Sequence, residues 1–161
     1  MYRWLVRRLV TSLYRAVSVG DYEAVLRRCA PDVLQDALGC SALGGGRSSV
    51  GGYRAWFERV GRLFGSLDLE IHTVVVSGMP WSTTVAVAWT DNVTALDGRR
   101  FRIEGMHLAR MRWGRLLSIR YYWDTERVAA ACAHTAALGI AEAAEGPLGT
   151  AALPEERPDQ E

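Results

Sequence analysis

The chain of 161 residues contains no lysine; all nineteen of its basic residues are arginine. That absence removes Schiff-base chemistry, lysine-anchored pyridoxal phosphate, the phosphate-gripping lysine of a nucleotide loop and any lysine general base. Cysteine is scarce, with only Cys29, Cys40 and Cys132. An odd number without metal-ligand spacing, far in sequence from His72, His107 and His134, argues against a disulfide framework or a zinc site. Long hydrophobic runs are missing too. The opening "MYRWLVRRLV" is broken by Arg7 and Arg8 and offers no small-residue cleavage site, so neither a secretion signal nor a membrane span is expected. A reduced, cytoplasmic protein is expected. Charge of one sign is not in excess: nineteen basic residues face eighteen acidic ones, a net charge of +1. No molecule-wide field would gather nucleic acid or an anionic membrane, and neither partner is expected.

What is present is enough apolar material for one core. The chain is 49% hydrophobic and 23% charged, the mix of a single globular domain. Trp4, Leu5, Leu9, Leu13, Ala16 and Val17 recur at helical spacing among arginines, which predicts an amphipathic helix of about four turns. Asp21 can cap a second, shorter helix through Cys29, closed by Pro31. A short strand and a flexible glycine-rich loop are expected next, with Gly44-Gly45-Gly46 as an entrance loop. Ser48 or Ser49 can cap a third helix, "VGGYRAWFERVGRLFG", with Tyr53, Trp56 and Phe57 on its buried side. From Leu67 the period changes to two. Four long strands are predicted, reversing at Asp97-Gly98 and at Trp113-Gly114, before a last helix from Thr125. Residues 1–146 are expected to form one domain and 147–161, rich in Pro and Glu, a disordered tail.

Helices followed by a long antiparallel meander define an α+β fold, a curved sheet wrapped around N-terminal helices into a cone that encloses a pocket. Three stretches, "VGDYEAVLRRCAPDVLQD", "YRAWFERVGRLF" and "EGMHLARMRWGRLLSIRYYWDTERV", together resemble the nuclear transport factor two-like superfamily. Ketosteroid isomerases, limonene epoxide hydrolases and SnoaL-like polyketide cyclases belong to that superfamily. The resemblance implies an isomerase-like base at Asp36, although Ala37 replaces the proline that follows it in isomerases. The isomerase tyrosine falls near Leu13, one residue from Tyr14, and the isomerase's protonated acid falls at Met106 or His107. In epoxide hydrolases and cyclases the acid at the end of the last strand matches Asp124, in "YWD". The earlier epoxide hydrolase acid matches Asp91, with Trp89 where an arginine would stand, and the H-x-G-x-F stretch of the cyclases is missing.

Strand parity gives a second view. Asp124, Tyr122 and Arg120 share one face, about 7 Å apart from one to the next, while Trp123, Tyr121, Ile119 and Leu117 share the other. The resemblance favours the Asp124 row as the cavity side; capping the last helix is the competing role for Asp124. Asp91 shares a face with Val85, Val87, Trp89 and Val93, where desolvation would raise its pKa and suit it to proton donation at neutral pH; near a strand end beside Asn92, a solvated edge acid is the competing role. His107 lies among small and apolar neighbours, where a core role competes with proton shuttling. The expected catalytic set is therefore Asp124, Asp36, His107 and Asp91, with Trp56, Trp89, Tyr122, Tyr53 and Met106 contacting substrate. No metal or cofactor is implied. The expected function is a cyclase or isomerase of secondary metabolism acting on a hydrophobic, polyketide-like or terpenoid-like molecule. Epoxide opening or a noncatalytic binding module are the alternatives. A homodimer through the convex sheet face is expected, with Tyr121 or Trp123 as contacts.

Overall fold

The computed structural model describes residues 1–149. Residues 150–161, most of the segment expected to be a disordered tail, lie outside the described residues. The element order is α1 (Tyr2–Ser18), α2 (Glu23–Leu26), β1 (Cys29–Ala37), β2 (Gly45–Arg47), α3 (Val50–Leu63), β3 (Leu69–Met79), β4 (Ser82–Thr94), β5 (Arg100–Arg112), β6 (Arg115–Trp123) and α4 (Thr125–Ala137), then a 3₁₀ turn at Ala141–Ala144. The six strands form one sheet in the order β2-β1-β6-β5-β4-β3. All neighbours are antiparallel except β1 and β6, which pair in parallel. The α+β architecture read from the sequence is the one observed.

The helices form where the apolar spacing predicts. Val6 and Val10 of α1 are buried, with Leu9, Leu13 and Val17 packed beside them. Helix α1 lies antiparallel along β3: Ser18 Oγ accepts the Leu69 N–H at 3.2 Å at one end, and the Tyr2 and Thr83 hydroxyls meet at 2.5 Å at the other. Ser49 caps α3 by accepting the Gly52 N–H at 3.1 Å. Tyr53 and Phe57 of α3 stack at 4.7 Å between ring centroids and fill the concave side of the sheet.

Two local expectations are corrected. The second helix ends at Leu26, because Cys29 already pairs with Leu116 in the sheet. Pro31 then sits where the β1 register slips between Cys29 and Leu34, a bulge that tolerates its missing N–H. The glycine-rich stretch is not an open loop. Gly45–Arg47 is an edge strand, Ala42 and Leu43 are buried, and the buried Arg47 guanidinium donates to the carbonyls of Gly44 and Gly45. Arg59 of α3 fastens this stretch to the chain's far end, donating to Ala42 O at 3.0 Å and pairing with Glu142 at 3.1 Å.

The sheet curves through irregularities in pairing: at Ile71/Thr73, at Cys29/Leu34, and at Leu117, which is skipped between the Met111-Leu116 and Arg110-Ser118 pairs. Such bulges bend a strand and tighten its twist. The bent sheet leaves room between its concave face and helices α1 and α3.

Candidate active site

That room is an apolar cavity of about 140 Å³. Its walls come from α1, α3 and the inward residues of β4, β5 and β6, with Val128 of α4 closing one side. Trp56, Trp89, Trp123, Tyr121, Phe57 and Phe64 supply aromatic surface. Among the lining residues Asp91 is the sole carboxylate and Arg28 the sole cation, and Arg28 alone is solvent-exposed.

Asp91 is held by β4, between Leu69 of β3 and Ile103 of β5. It is 8% exposed. Its Oδ1 accepts the Asp68 N–H at 3.0 Å, whereas Oδ2 has no hydrogen bond to a described residue. Desolvation pushes its pKa up to about 7, the Asp68 N–H pulling the other way and the Asp68 charge adding to the rise. A carboxyl group with this value is divided between acid and base at neutral pH, the condition under which a proton is both taken and returned efficiently.

The second polar station is His107 of β5. Tyr14 Oη of α1 lies 2.7 Å from its Nδ1. Burial pushes the imidazole down to about 3, so it is neutral at physiological pH. The Tyr121 ring meets the imidazole edge-on at 5.6 Å, and the Tyr121 and Tyr53 hydroxyls bond at 2.6 Å. Burial raises the pKa of all three tyrosines, which keeps them neutral. His107 pairs with Val87, four residues along β4 from Asp91, which sets the two stations about 14 Å apart along the sheet. Trp89 stands between them, so close over Gly105 that a Cβ there would lie 2.9 Å from the indole. The Trp89 N–H is buried and has no acceptor among the described residues.

Of the residues expected to form the site, His107, Asp91, Trp56, Trp89 and Tyr53 line the cavity. Asp124, Asp36, Tyr122 and Met106 do not. Asp124 is exposed and caps α4, its Oδ1 accepting the Arg127 N–H at 3.0 Å. Asp36 is buried on the opposite side of the sheet, with Oδ2 2.9 Å from Arg120 Nε, an ion pair by distance without hydrogen-bond geometry. Tyr122 and Met106 are cross-strand partners on the outer face and are exposed there. The parity of β6 is thus the reverse of the one the resemblance favoured. Ile119, Tyr121 and Trp123 point inward, so Tyr121 and Trp123 are walls of the cavity and not contacts on the convex face.

Tyr14, Tyr121, Trp123 and Arg28 also line the cavity without having been singled out for it. Tyr14 had a legible signal, falling four residues after Val10 and three before Val17 on the buried side of α1. Arg28 had none. Among the described residues no three His, Cys, Asp or Glu side chains converge as a metal-ligand set.

A bent six-stranded sheet closed by helices over an apolar cavity with one acid defines a cone-shaped α+β domain. The sequence profile of the SnoaL-like domain matches residues 10–119, and the chain belongs to that family. Solved structures share the fold. PrhC from Penicillium brasilianum has a TM-score of 0.71 at 18% identity, over 89% of this chain and 95% of its own. An NTF2-like protein of unknown function from Burkholderia pseudomallei has a TM-score of 0.67 at 24% identity, over 78% and 95%. IdmH of Streptomyces antibioticus, a provisionally assigned polyketide cyclase, has a TM-score of 0.63 at 20% identity, over 79% and 97%. No curated protein matches the chain.

Proposed function

We propose that the protein is a cofactor-independent cyclase or isomerase of secondary metabolism, acting on an elongated, oxygenated polyketide-like or terpenoid-like molecule, with Asp91 as its proton-transfer group. The observation that carries this reading is the single carboxylate of the cavity, desolvated to a pKa of about 7 with one oxygen left free. The ionised carboxylate takes a proton from the bound substrate, and the same group returns it after the bond has formed or moved. Tyr14 and His107, about 14 Å away, hold an oxygen at the substrate's other end, and the unmatched Trp89 N–H offers a donor in between. The aromatic walls select a flat, conjugated skeleton and hold it in a folded, reactive pose, which lowers the entropic part of the barrier. The fold shared with IdmH, itself only provisionally assigned as a polyketide cyclase, supports the same class.

Epoxide opening draws less support, because Trp89 occupies the place where an orienting cation would stand. A noncatalytic module would gain support from a cavity without a carboxylate, and Asp91 lines this one. The test is turnover by Asp91→Asn of a substrate identified from a panel of oxygenated polycyclic precursors. The expected result is a fall in kcat of about 10² to 10⁴-fold with binding retained. Wild-type turnover by this variant would remove Asp91 from the mechanism.

The exposed Met106, Leu108 and Tyr122 on the outer sheet face support a homodimer through that face. Light scattering after gel filtration tests it, and a clean monomer refutes it. The free Cys29, Cys40 and Cys132 support a reducing, cytoplasmic setting. No helix among the described residues is long and apolar enough to cross a membrane.

A further inference from the structure

The net charge of +1 conceals a strong polarity. Residues 1–20 carry four arginines and no acid, residues 71–90 carry no acid, and residues 105–123 carry four arginines and no acid. The fold brings the start of the first segment, the β3–β4 turn within the second and the β5–β6 turn within the third to one end of the molecule. The start of α1 meets the β3–β4 reversal through Tyr2 and Thr83, and the Trp113 N–H of the β5–β6 turn donates to Pro80 O at 2.6 Å.

That end also displays three tryptophans. Trp4, Trp81 and Trp113 are 54%, 53% and 66% exposed, and the rings of Trp81 and Trp113 lie 6.1 Å apart. Trp113 has φ 50, a left-handed turn position that Gly or Asn would take at lower cost. Neither turn chemistry nor core packing accounts for a tryptophan there. Around the rings stand Arg3, Arg7, Arg8 and Arg112, none with an ion pair to a described residue, and Arg8 lies over the Trp4 ring at 4.7 Å. Arg28, the exposed lining residue of the cavity, belongs to the same end, its carbonyl accepting the Leu116 N–H at 2.8 Å just beyond the Trp113 turn.

We propose that this tryptophan-tipped, arginine-ringed end docks on an anionic lipid bilayer. Indole rings favour the headgroup level, where an apolar body meets a polar N–H, and arginines near them gain from anionic headgroups. The rings protrude from separate turns and a helix start, a shape that enters a soft interface and does not fill the pocket of a rigid protein. Docking in this pose sets Arg28 and its side of the cavity against the bilayer, a route of entry for a poorly soluble substrate.

The experiment is sedimentation of the full chain with vesicles of phosphatidylcholine alone or mixed with phosphatidylglycerol, with brominated lipid to quench indoles at the interface. The chain is expected to pellet with the anionic vesicles only, with fluorescence quenched and with release at high salt. Trp4→Ser, Trp81→Ser and Trp113→Asn together should abolish quenching, and Arg3→Gln, Arg7→Gln and Arg8→Gln together should weaken partition on the order of 100-fold. Circular dichroism confirms that both variants are folded. Protein left in the supernatant with both vesicle types, equal pelleting with neutral vesicles, or partition unmoved by either set of substitutions overturns the proposal. In the first case the tip is a contact for another protein.

Discussion

Replacing Asp91 by Asn makes the protein's stability depend on pH in a way the fold specifies. An aspartate titrates at 3.8 in its unperturbed state and at about 7 in this cavity. Between those values the native state holds a proton that the unfolded chain has released, so the stability present below about pH 4 is lost as pH rises through about 7. At 1.36 kcal/mol per pH unit the loss amounts to about 4 kcal/mol by pH 8. Asn keeps the Asp68 N–H bond and cannot ionise. Urea unfolding of wild type and Asp91→Asn across pH 4 to 8 should therefore show the variant gaining on the wild type by about 4 kcal/mol over that range. The comparison has to be a difference, because His107 works the other way. Its pKa falls from 6.5 to about 3 on folding, so its contribution is present above about pH 6.5 and is lost on acidification toward 3. Between pH 4 and 6.5 the two slopes nearly cancel in the wild type, and a flat wild-type profile would not by itself argue against either. A difference between variant and wild type that stays constant with pH would refute the desolvated state of Asp91 and the proton-transfer role built on it.

Three further outcomes follow from the same structure. His107→Gln should gain stability relative to wild type as pH falls from 7 to 4, by about 3 kcal/mol in urea unfolding, because the unfolded variant chain no longer gains the proton that the fold refuses at His107. Asp124→Ala should cost about 1 kcal/mol through loss of the α4 cap, Asp124→Asn should cost little because Asn caps well, and ligand affinity should be unchanged in both; weaker ligand binding in the Asn variant would return Asp124 to the site. Gly105→Ala places a Cβ 2.9 Å from both the Trp89 ring and the Tyr122 carbonyl, and should cost about 1 to 3 kcal/mol in thermal unfolding while shifting the Trp89 emission; an unshifted spectrum and unchanged Tm would contradict that packing.

Much of the fold was legible because its signals are local. The change of period near Leu67, the Asp97-Gly98 reversal and the caps at Asp21 and Ser49 each act within a few residues, and each stands where the spacing put it. An apolar setting for Asp91 was one of two readings open in the sequence, from its alternation with Val85, Val87, Trp89 and Val93; the strand end beside Asn92 offered a solvated acid as the other. The identity of the main acid was not legible. Alternation in β6 separates Ile119, Tyr121 and Trp123 from Arg120, Tyr122 and Asp124, but which row faces the cavity is a matter of phase against the rest of the sheet, and a one-residue change of phase turns every side chain to the other face. Whether Asp124 faced a cavity or capped α4, and whether Tyr121 looked inward or out, hung on that phase.

Periodicity, turn chemistry and composition thus determined where most of the helices and the four long strands lie and that they fold as α+β. Only the tertiary structure decided that Asp36 pairs with Arg120 behind the sheet, that Tyr14 reaches His107 across 93 residues, and that tryptophans and arginines from three separate segments collect at one end. The reason is range. Backbone propensities act between near neighbours, whereas burial, desolvation and charge asymmetry belong to surfaces that exist only once distant strands have been bent together.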